Sequence, residues 1–276
     1  MKNYLDLLSK VLTTGQKGPD RTGHGTISSF GEVIEFDLTK GFPAVTTKRL
    51  AFKQVAAELV CFLGGYDKLS EFESMGCTIW TANGESPYWK ANKNYKEDWL
   101  GHIYGVTWRA WMNSRGQTID QLRNLIEGLK SDPRSRRHLV TAWNPGELDR
   151  VALPACHTHF QVYIGPEKGE VNCLVYMRSV DLFLGLPFDI ASYATLTHLI
   201  AKEIGRAVGV LKFMLCDAHI YLNHIDQVKE QLIREPYSLP QLQIADSYTS
   251  IFEATLEQLS LANYTSHPSI KAEMNV

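Results

Sequence analysis

Residues 171–215, VNCLVYMRSVDLFLGLPFDIASYATLTHLIAKEIGRAVGVLKFML, place a long apolar helix pattern between two strand patterns. At 171–177 strongly apolar residues alternate with more polar ones, which is typical of a strand whose two faces differ. Residues 188–204 are apolar on nearly all sides, which favours a buried helix. Residues 208–215 again have the composition of a strand. The stretch therefore predicts a helix at the centre of a mixed fold.

Other elements extend outward from this stretch without a regular alternation of strands and helices. Residues 81–102 are polar, aromatic and without periodicity, so we expect a long surface excursion or lid there. The remaining patterns predict helices at 1–12, 51–63, 118–132 and 221–232, and strands at 27–38, 138–143 and 158–164. This mixture favours an α/β fold of the α+β type.

The bulk composition is that of an ordinary globular protein, with 276 residues, 44% hydrophobic and 21% charged. The length allows one or two domains, and no linker or repeat marks a boundary between them. A net charge of −2 gives no basic field for nucleic acid, and no apolar run predicts a membrane partner. Five scattered cysteines outside CxxC pairs argue against disulfides and zinc, and favour the cytoplasm.

Cys156 is the first candidate for chemistry, because it lies beside His157 at the start of a predicted strand. A lone cysteine is more often a buried structural residue. A nucleophilic thiolate needs nearby positive charge, and arginines stand at several element ends. They are Arg21, Arg134, Arg136, Arg137 and Arg178. Each alone would ordinarily be a solvated surface residue, but together they are suited to a phosphate.

Two acids stand in apolar helix patterns, Glu58 and Asp189. If Glu58 is buried it holds a proton more readily and suits general acid–base work, whereas an exposed helix acid is the plain alternative. The plain explanation for Asp189 is the helix dipole, with Pro187 near the helix start. From the residues alone, the chain is a candidate cysteine-dependent enzyme for a phosphorylated ligand.

Long motifs then connect the chain to a known family. The chain contains, in order, DRTGHGT (20–26), YGVTWRAW (104–111), DPRSRRHLVTAWNPGELD (132–149), LPACH (153–157), RSVDLFLGLPFDIASY (178–193), DAHIYLNHIDQ (217–227) and HPSIKAEMNV (267–276). In this order and over nearly the whole chain, it resembles the thymidylate synthases. The resemblance implies a single α/β domain over residues 1–276, a homodimer built sheet against sheet, and 5,10-methylenetetrahydrofolate as co-substrate, without a metal.

The resemblance also implies a role for individual residues. Cys156 is the nucleophile that adds to C6 of the pyrimidine, and Glu58 and Tyr104 handle protons. The substrate-binding set is Arg21, Arg178 and Ser179 at the phosphate, Arg136 and Arg137 from the partner subunit, His219 and Tyr221 at the sugar, and Gln161, His157 and Asp189. The folate set is Lys48, Ile79, Trp80, Asp181, Leu184, Gly185, Phe188 and the terminal residue Val276.

Asp189 departs from the family pattern, in which the thymidylate synthases have Asn. A carboxyl accepts from the 4-amino group of cytosine and, when protonated, donates to N3. Ionised, it would leave O4 of uracil without a donor, so we expect dCMP to be preferred over dUMP. We also expect Asp189 to hold a proton when dCMP is bound.

The same replacement and Met177 resemble phage deoxycytidylate hydroxymethylases. His102 and Ala155 each replace a usual proline near the site. The resulting expectation is a dCMP 5-hydroxymethylase. A dCMP 5-methyltransferase and a thymidylate synthase acting on dUMP remain open, as does a non-catalytic RNA-binding paralogue.

Overall fold

A computed structural model describes residues 1–275, so Val276 lies outside the described residues. The fold is mixed α/β, as expected. Its helices are α1 Lys2–Thr14, α2 Phe52–Gly64, α3 Leu69–Ser74, α4 Thr81–Gly84, α5 Pro87–Lys90, α6 Tyr104–Arg109, α7 Gln121–Ser131, α8 Gly185–Glu203 and α9 Ile225–Leu232. Its strands are β1 Gln16–Gly18, β2 Thr26–Asp37, β3 Trp111–Met112, β4 Thr118–Ile119, β5 Leu139–Thr141, β6 His157–Ile164, β7 Val171–Asp181, β8 Val208–Tyr221, β9 Gln241–Ile244 and β10 Leu259–Ala262.

A six-stranded sheet in the order β1-β2-β8-β7-β6-β5 forms the centre of the molecule. Strands β7 and β8 are parallel, and α8 makes the crossover between them. The other neighbours in this sheet pair antiparallel. A crossover helix must bury most of its surface against the sheet. This explains why the α8 sequence is apolar on nearly every side.

One face of the sheet is covered by helices. The α1 helix packs on β2, while α8 packs on β7, β8 and α2. In α1 the structure buries Tyr4, Leu8 and Val11 completely. A single core cluster runs from α1 to the C-terminal segment at Ile270.

The opposite face of the sheet is open. It carries apolar side chains that a monomer leaves in water, although apolar residues on the other face are deeply buried. These exposed residues are Phe30, Val33, Leu139, Tyr163 and Met214. An apolar surface of this kind is typical of a protein–protein contact.

The expectation of a surface excursion at 81–102 is wrong in part. Trp89 and Leu100 are fully buried, and the Trp89 indole N–H donates to the carbonyl of Trp99 at 2.9 Å. Two short helices, α4 and α5, organise the segment. The aromatic residues therefore anchor it against the body of the protein.

Within residues 1–275, no helix is long and apolar enough to cross a membrane. The same part of the chain holds no group of three or more His, Cys, Asp or Glu residues arranged to bind a metal ion. All five cysteines are free thiols there, and Cys61, Cys77 and Cys173 are buried.

Candidate active site

Cys156 lies immediately before β6, and its side chain is half-buried. Its backbone N–H donates to the hydroxyl of Tyr104 at 2.7 Å. Tyr104 is the first residue of α6 and is 4% exposed. The hydroxyl thus fixes the position of the cysteine backbone rather than contacting its sulfur.

Arg178 provides the positive charge beside the thiol. Its guanidinium donates to the carbonyls of Ala155 and Pro154, each at 2.8 Å, and its Nη2 lies 3.8 Å from Cys156 Sγ. Burial raises the pKa of Cys156, the Arg178 charge opposes this, and Asp189 adds to it; the net pKa is raised. Arg178 therefore partly offsets a cost that burial and a nearby acid impose on the thiolate.

His157 is held as a neutral ring next to the nucleophile. It stacks on Tyr104 with ring centres 3.7 Å apart, and its Nδ1 lies 2.7 Å from the hydroxyl of Tyr193. Burial lowers the pKa of His157 to about 3. Sequence reasoning missed Tyr193, although its spacing of four residues from Asp189 in a helix puts both on one face.

Asp189 faces this cluster from α8. It is the fifth residue of that helix, and the first turn contains no acid, so the helix dipole does not explain it. Its Oδ1 lies 3.9 Å from His157 Nε2, and its side chain is 22% exposed. Burial raises the pKa of Asp189 well above its usual value, and the charges of Glu58 and Asp181 raise it further. The carboxyl therefore holds its proton more readily than an ordinary aspartate does.

Glu58 is the second acid of the site, and it is half-buried rather than an exposed helix acid. Its Oε1 accepts the indole N–H of Trp80 at 2.8 Å, and Trp80 is 3% exposed. Burial raises the pKa of Glu58 to about 7, against the opposing effect of the Trp80 hydrogen bond. A carboxyl with a pKa near 7 can both donate and accept a proton at neutral pH.

The turn between β7 and α8 presents the predicted folate residues. Asp181 Oδ1 accepts the Phe183 N–H at 2.8 Å and shapes this turn. Leu184, Gly185 and Phe188 at the start of α8 are partly exposed, as is Ile79 beside Trp80. Apolar side chains around one carboxyl suit a flat heterocycle that carries N–H donors.

Lys48 faces inward in this structure. It is 7% exposed, its ammonium lies 3.5 Å from the centre of the Phe183 ring, and it donates to the Phe183 carbonyl. Burial lowers the pKa of Lys48 to about 7, although Asp181 opposes this. Lys48 supports the turn that carries the folate set. Val276, the other predicted folate contact at the chain end, lies outside the described residues.

His219 and Tyr221 lie at the end of β8, where His219 pairs in register with Asp181. His219 Nδ1 is 3.3 Å from an Asp217 carboxylate oxygen. Burial alone would lower the pKa of His219, but Asp217 and Asp181 raise it overall. Burial raises the pKa of Tyr221 to about 12. Both side chains keep polar atoms available for a hydroxyl ligand.

The predicted phosphate ligands are not all brought together. Arg178 and Ser179 lie on β7, and Arg21 is exposed in the loop before β2. Arg136 and Arg137 are exposed on the turn before β5, at the edge of the sheet. Within residues 1–275, no hydrogen bond joins either of them to the Cys156 cluster. Gln161 lies near them, with its Nε2 3.4 Å from the Arg136 carbonyl.

Comparison with known proteins is decisive for the family. The thymidylate synthase family model matches residues 2–276. The chain belongs to the thymidylate synthase family. Thymidylate synthases of Listeria monocytogenes serovar 1/2a and Listeria innocua serovar 6a are 42% and 44% identical to it, and each alignment covers the whole of both proteins.

Membership establishes the general chemistry. Thymidylate synthases are one-carbon transferases that act on a pyrimidine nucleotide with methylenetetrahydrofolate as co-substrate. The deoxycytidylate hydroxymethylase branch receives no specific support. The relatives favour methylation of dUMP over hydroxymethylation of dCMP.

Proposed function

We propose that this protein transfers the one-carbon unit of methylenetetrahydrofolate to C5 of a pyrimidine deoxynucleotide monophosphate. The observation that carries the proposal is the placement of Cys156 beside Arg178, with two carboxyl groups of raised pKa, Asp189 and Glu58, around it. Addition of the Cys156 thiolate to C6 makes C5 nucleophilic, and Glu58 is placed to move protons over the ring. Residues 1–276 act as one catalytic domain.

The first candidate substrate is dUMP, with methylation as the reaction. A protonated carboxyl offers one donor and one acceptor, so a neutral Asp189 suits O4 and N3–H of uracil as an amide does. The expectation of repulsion from uracil assumed an ionised Asp189. Because burial raises the pKa of this carboxyl well above its usual value, that objection is weaker. The names of the relatives support the same reading.

The second candidate substrate is dCMP, and Asp189 itself is the observation that favours it. The same neutral carboxyl donates to N3 of cytosine and accepts from the 4-amino group. As thiolate addition pushes charge onto N3, Asp189 can pass its proton to that nitrogen, which an amide cannot do. Hydroxymethylation and methylation of dCMP differ in whether water or folate hydride completes the reaction.

We further propose a homodimer that buries the open face of the sheet. The exposed apolar residues there need a cover, and Arg136 and Arg137 lie at the edge of that sheet. In a two-fold dimer, these arginines would reach the phosphate in the partner's site.

The test is incubation with methylenetetrahydrofolate and either dUMP or dCMP, with product mass and dihydrofolate absorbance as readouts. Methylated dUMP with dihydrofolate supports the first candidate. Methylated dCMP with dihydrofolate, or hydroxymethylated dCMP without it, supports the second. If neither nucleotide yields a product that depends on Cys156, the proposed function is refuted.

A further inference from the structure

Two departures from the family pattern, His102 and Ala155, meet in one cavity. The cavity is narrow and partly open to solvent, and Tyr104, Glu147 and Pro154 also line it. The two positions are far apart in sequence. Their meeting beside the nucleophile suggests one shared role.

His102 forms a close pair with Glu147 at this cavity. Its Nδ1 lies 2.6 Å from Glu147 Oε2, and the two side chains are 24% and 23% exposed. The imidazole also packs edge-on against Trp99, with ring centres 5.7 Å apart. A partly buried, short and packed pair holds its geometry better than an exposed one.

The pair joins the two segments that end at Tyr104 and Cys156. Alongside it, the backbone N–H of His102 donates to the Arg150 carbonyl at 3.0 Å. The backbone N–H of Ala152 donates to the Leu100 carbonyl at 2.8 Å. Two residues beyond His102, the Tyr104 hydroxyl receives the Cys156 N–H at 2.7 Å. The segments are therefore tied at both ends of a short ladder.

Arg178 also holds the last residues of the loop before Cys156. Arg178 binds the carbonyls of Pro154 and Ala155 and lies 3.8 Å from the sulfur. A shift of the loop against Arg178 changes the distance between the thiolate and its cation. The thiolate pKa depends on that distance.

We propose that His102 and Glu147 are positioning residues that set Cys156 against Arg178 and Tyr104. The pair acts through the 147–156 loop and does not touch the substrate. The part of the test that measures enzyme activity rests on the proposed function. The part that measures the reactivity of the Cys156 thiol does not, because that reactivity can be measured without a nucleotide.

The thiol test follows iodoacetamide alkylation of the Cys156 peptide by mass spectrometry over a range of pH. In His102→Ala we expect the rate at neutral pH to fall about three- to tenfold, and the profile to move to higher pH. His102→Gln, which keeps a side-chain donor, should recover much of the rate. Lys93→Ala, which removes the exposed pair with Asp149 in the same region, is the matched control and should leave the rate unchanged.

A double-mutant cycle separates positioning from general loosening. Glu147→Ala should give the same defect as His102→Ala, and the double variant should be no worse than either. Additive losses, or an unchanged alkylation profile in a variant that unfolds at the wild-type temperature, would overturn the proposal. If His102→Ala unfolds at a lower temperature than the wild type, the alkylation profiles of His102→Gln and Glu147→Gln take its place. Unchanged profiles in both of these variants would then overturn the proposal.

The activity arm measures kcat and KM on whichever nucleotide is turned over. Positioning of the nucleophile predicts a lower kcat with nearly unchanged nucleotide KM. A raised KM with unchanged kcat would instead place the pair in substrate binding and refute the proposal. An enzyme inactive on both nucleotides refutes the proposed function, while the alkylation result still stands or falls alone.

Discussion

The guanidinium of Arg178 lies 3.8 Å from the sulfur of Cys156 while it binds the carbonyls of Pro154 and Ala155. One side chain thus holds the loop and supplies the charge that opposes the raised pKa of the thiol. Fixing and activating the nucleophile are therefore a single structural task.

Replacement of Arg178 by Met should shift the alkylation profile of Cys156 to higher pH by about one unit, because an adjacent cation stabilises the thiolate. The rate at neutral pH would fall about tenfold. Lys90→Met, which removes an exposed cation paired with Glu85, is the control. An unchanged alkylation profile would mean that the guanidinium of Arg178, bound to two carbonyls, does not stabilise the thiolate.

Glu58→Gln should alter how stability depends on pH. The pKa of Glu58 is about 7 in the folded protein and about 4.5 in the unfolded chain, where the carboxyl is in water. Between these values the unfolded chain loses its proton first, so the free energy of unfolding falls as pH rises, by at most about 1.4 kcal/mol per pH unit. The Gln variant lacks this loss. Its free energy of unfolding should rise relative to that of the wild type from pH 5 to pH 7, and the difference should stay constant above pH 7.

The measurement is urea unfolding at several pH values, with Glu127→Gln as the control at an exposed position of α7. A constant difference between wild type and Glu58→Gln from pH 5 to pH 8 would contradict the raised pKa. Activity of Glu58→Gln should be strongly reduced at every pH, because an amide cannot exchange the proton.

Asp189→Asn should change the choice of base. The amide keeps one donor and one acceptor, so turnover of dUMP should stay within about threefold of wild type. It cannot give a proton to cytosine N3, so dCMP turnover should fall at least about tenfold. Competition between the two nucleotides measures the ratio directly. An unaltered ratio would show that another contact reads the base.

Phe30→Asp should weaken the proposed dimer. Phe30 is 83% exposed on the open face of the sheet, and a charge there opposes its burial. Sedimentation velocity should show monomers. Ile233→Asp is a matched control, because Ile233 is also 83% exposed but follows α9. Equal sedimentation of both variants and the wild type would argue against this face as the contact.

Shared sites make a second test of the dimer. An Arg136→Ala/Arg137→Ala subunit and a Cys156→Ala subunit should each be inactive alone. After subunit exchange in equal amounts, half of the dimers are hybrids with one complete site, so about a quarter of the activity returns. No recovery, with exchange shown by mass, would place these arginines outside the partner's site.

The sequence predicts the central elements well because their periodicity is local. The buried α8 and its flanking strands follow from residues 171–215, but the parallel pairing of β7 with β8 is a long-range choice that no pattern contains. The packing of the 81–102 segment has no sequence signal, because Trp89 and Leu100 lie among polar residues without a period.

The site shows the same division. Motif order identifies Cys156, Arg178 and Asp189, whereas their protonation depends on burial and on neighbours from other elements. Apolar neighbours leave the burial of Glu58 undecided in the sequence, and the fold half-buries it beside the Trp80 indole. The pairing of His102 with Glu147 likewise needs a fold that brings separate segments together.

The stack of His157 on Tyr104 affects which groups beside Cys156 can carry a proton. With a pKa of about 3, the imidazole stays uncharged throughout the physiological range and works as a rigid spacer. The groups beside the nucleophile that can hold and release a proton are then the carboxyls of Glu58 and Asp189, whose pKa values burial raises. Acidification down to about pH 4 leaves this ring uncharged, so it places no new cation beside an arriving nucleotide.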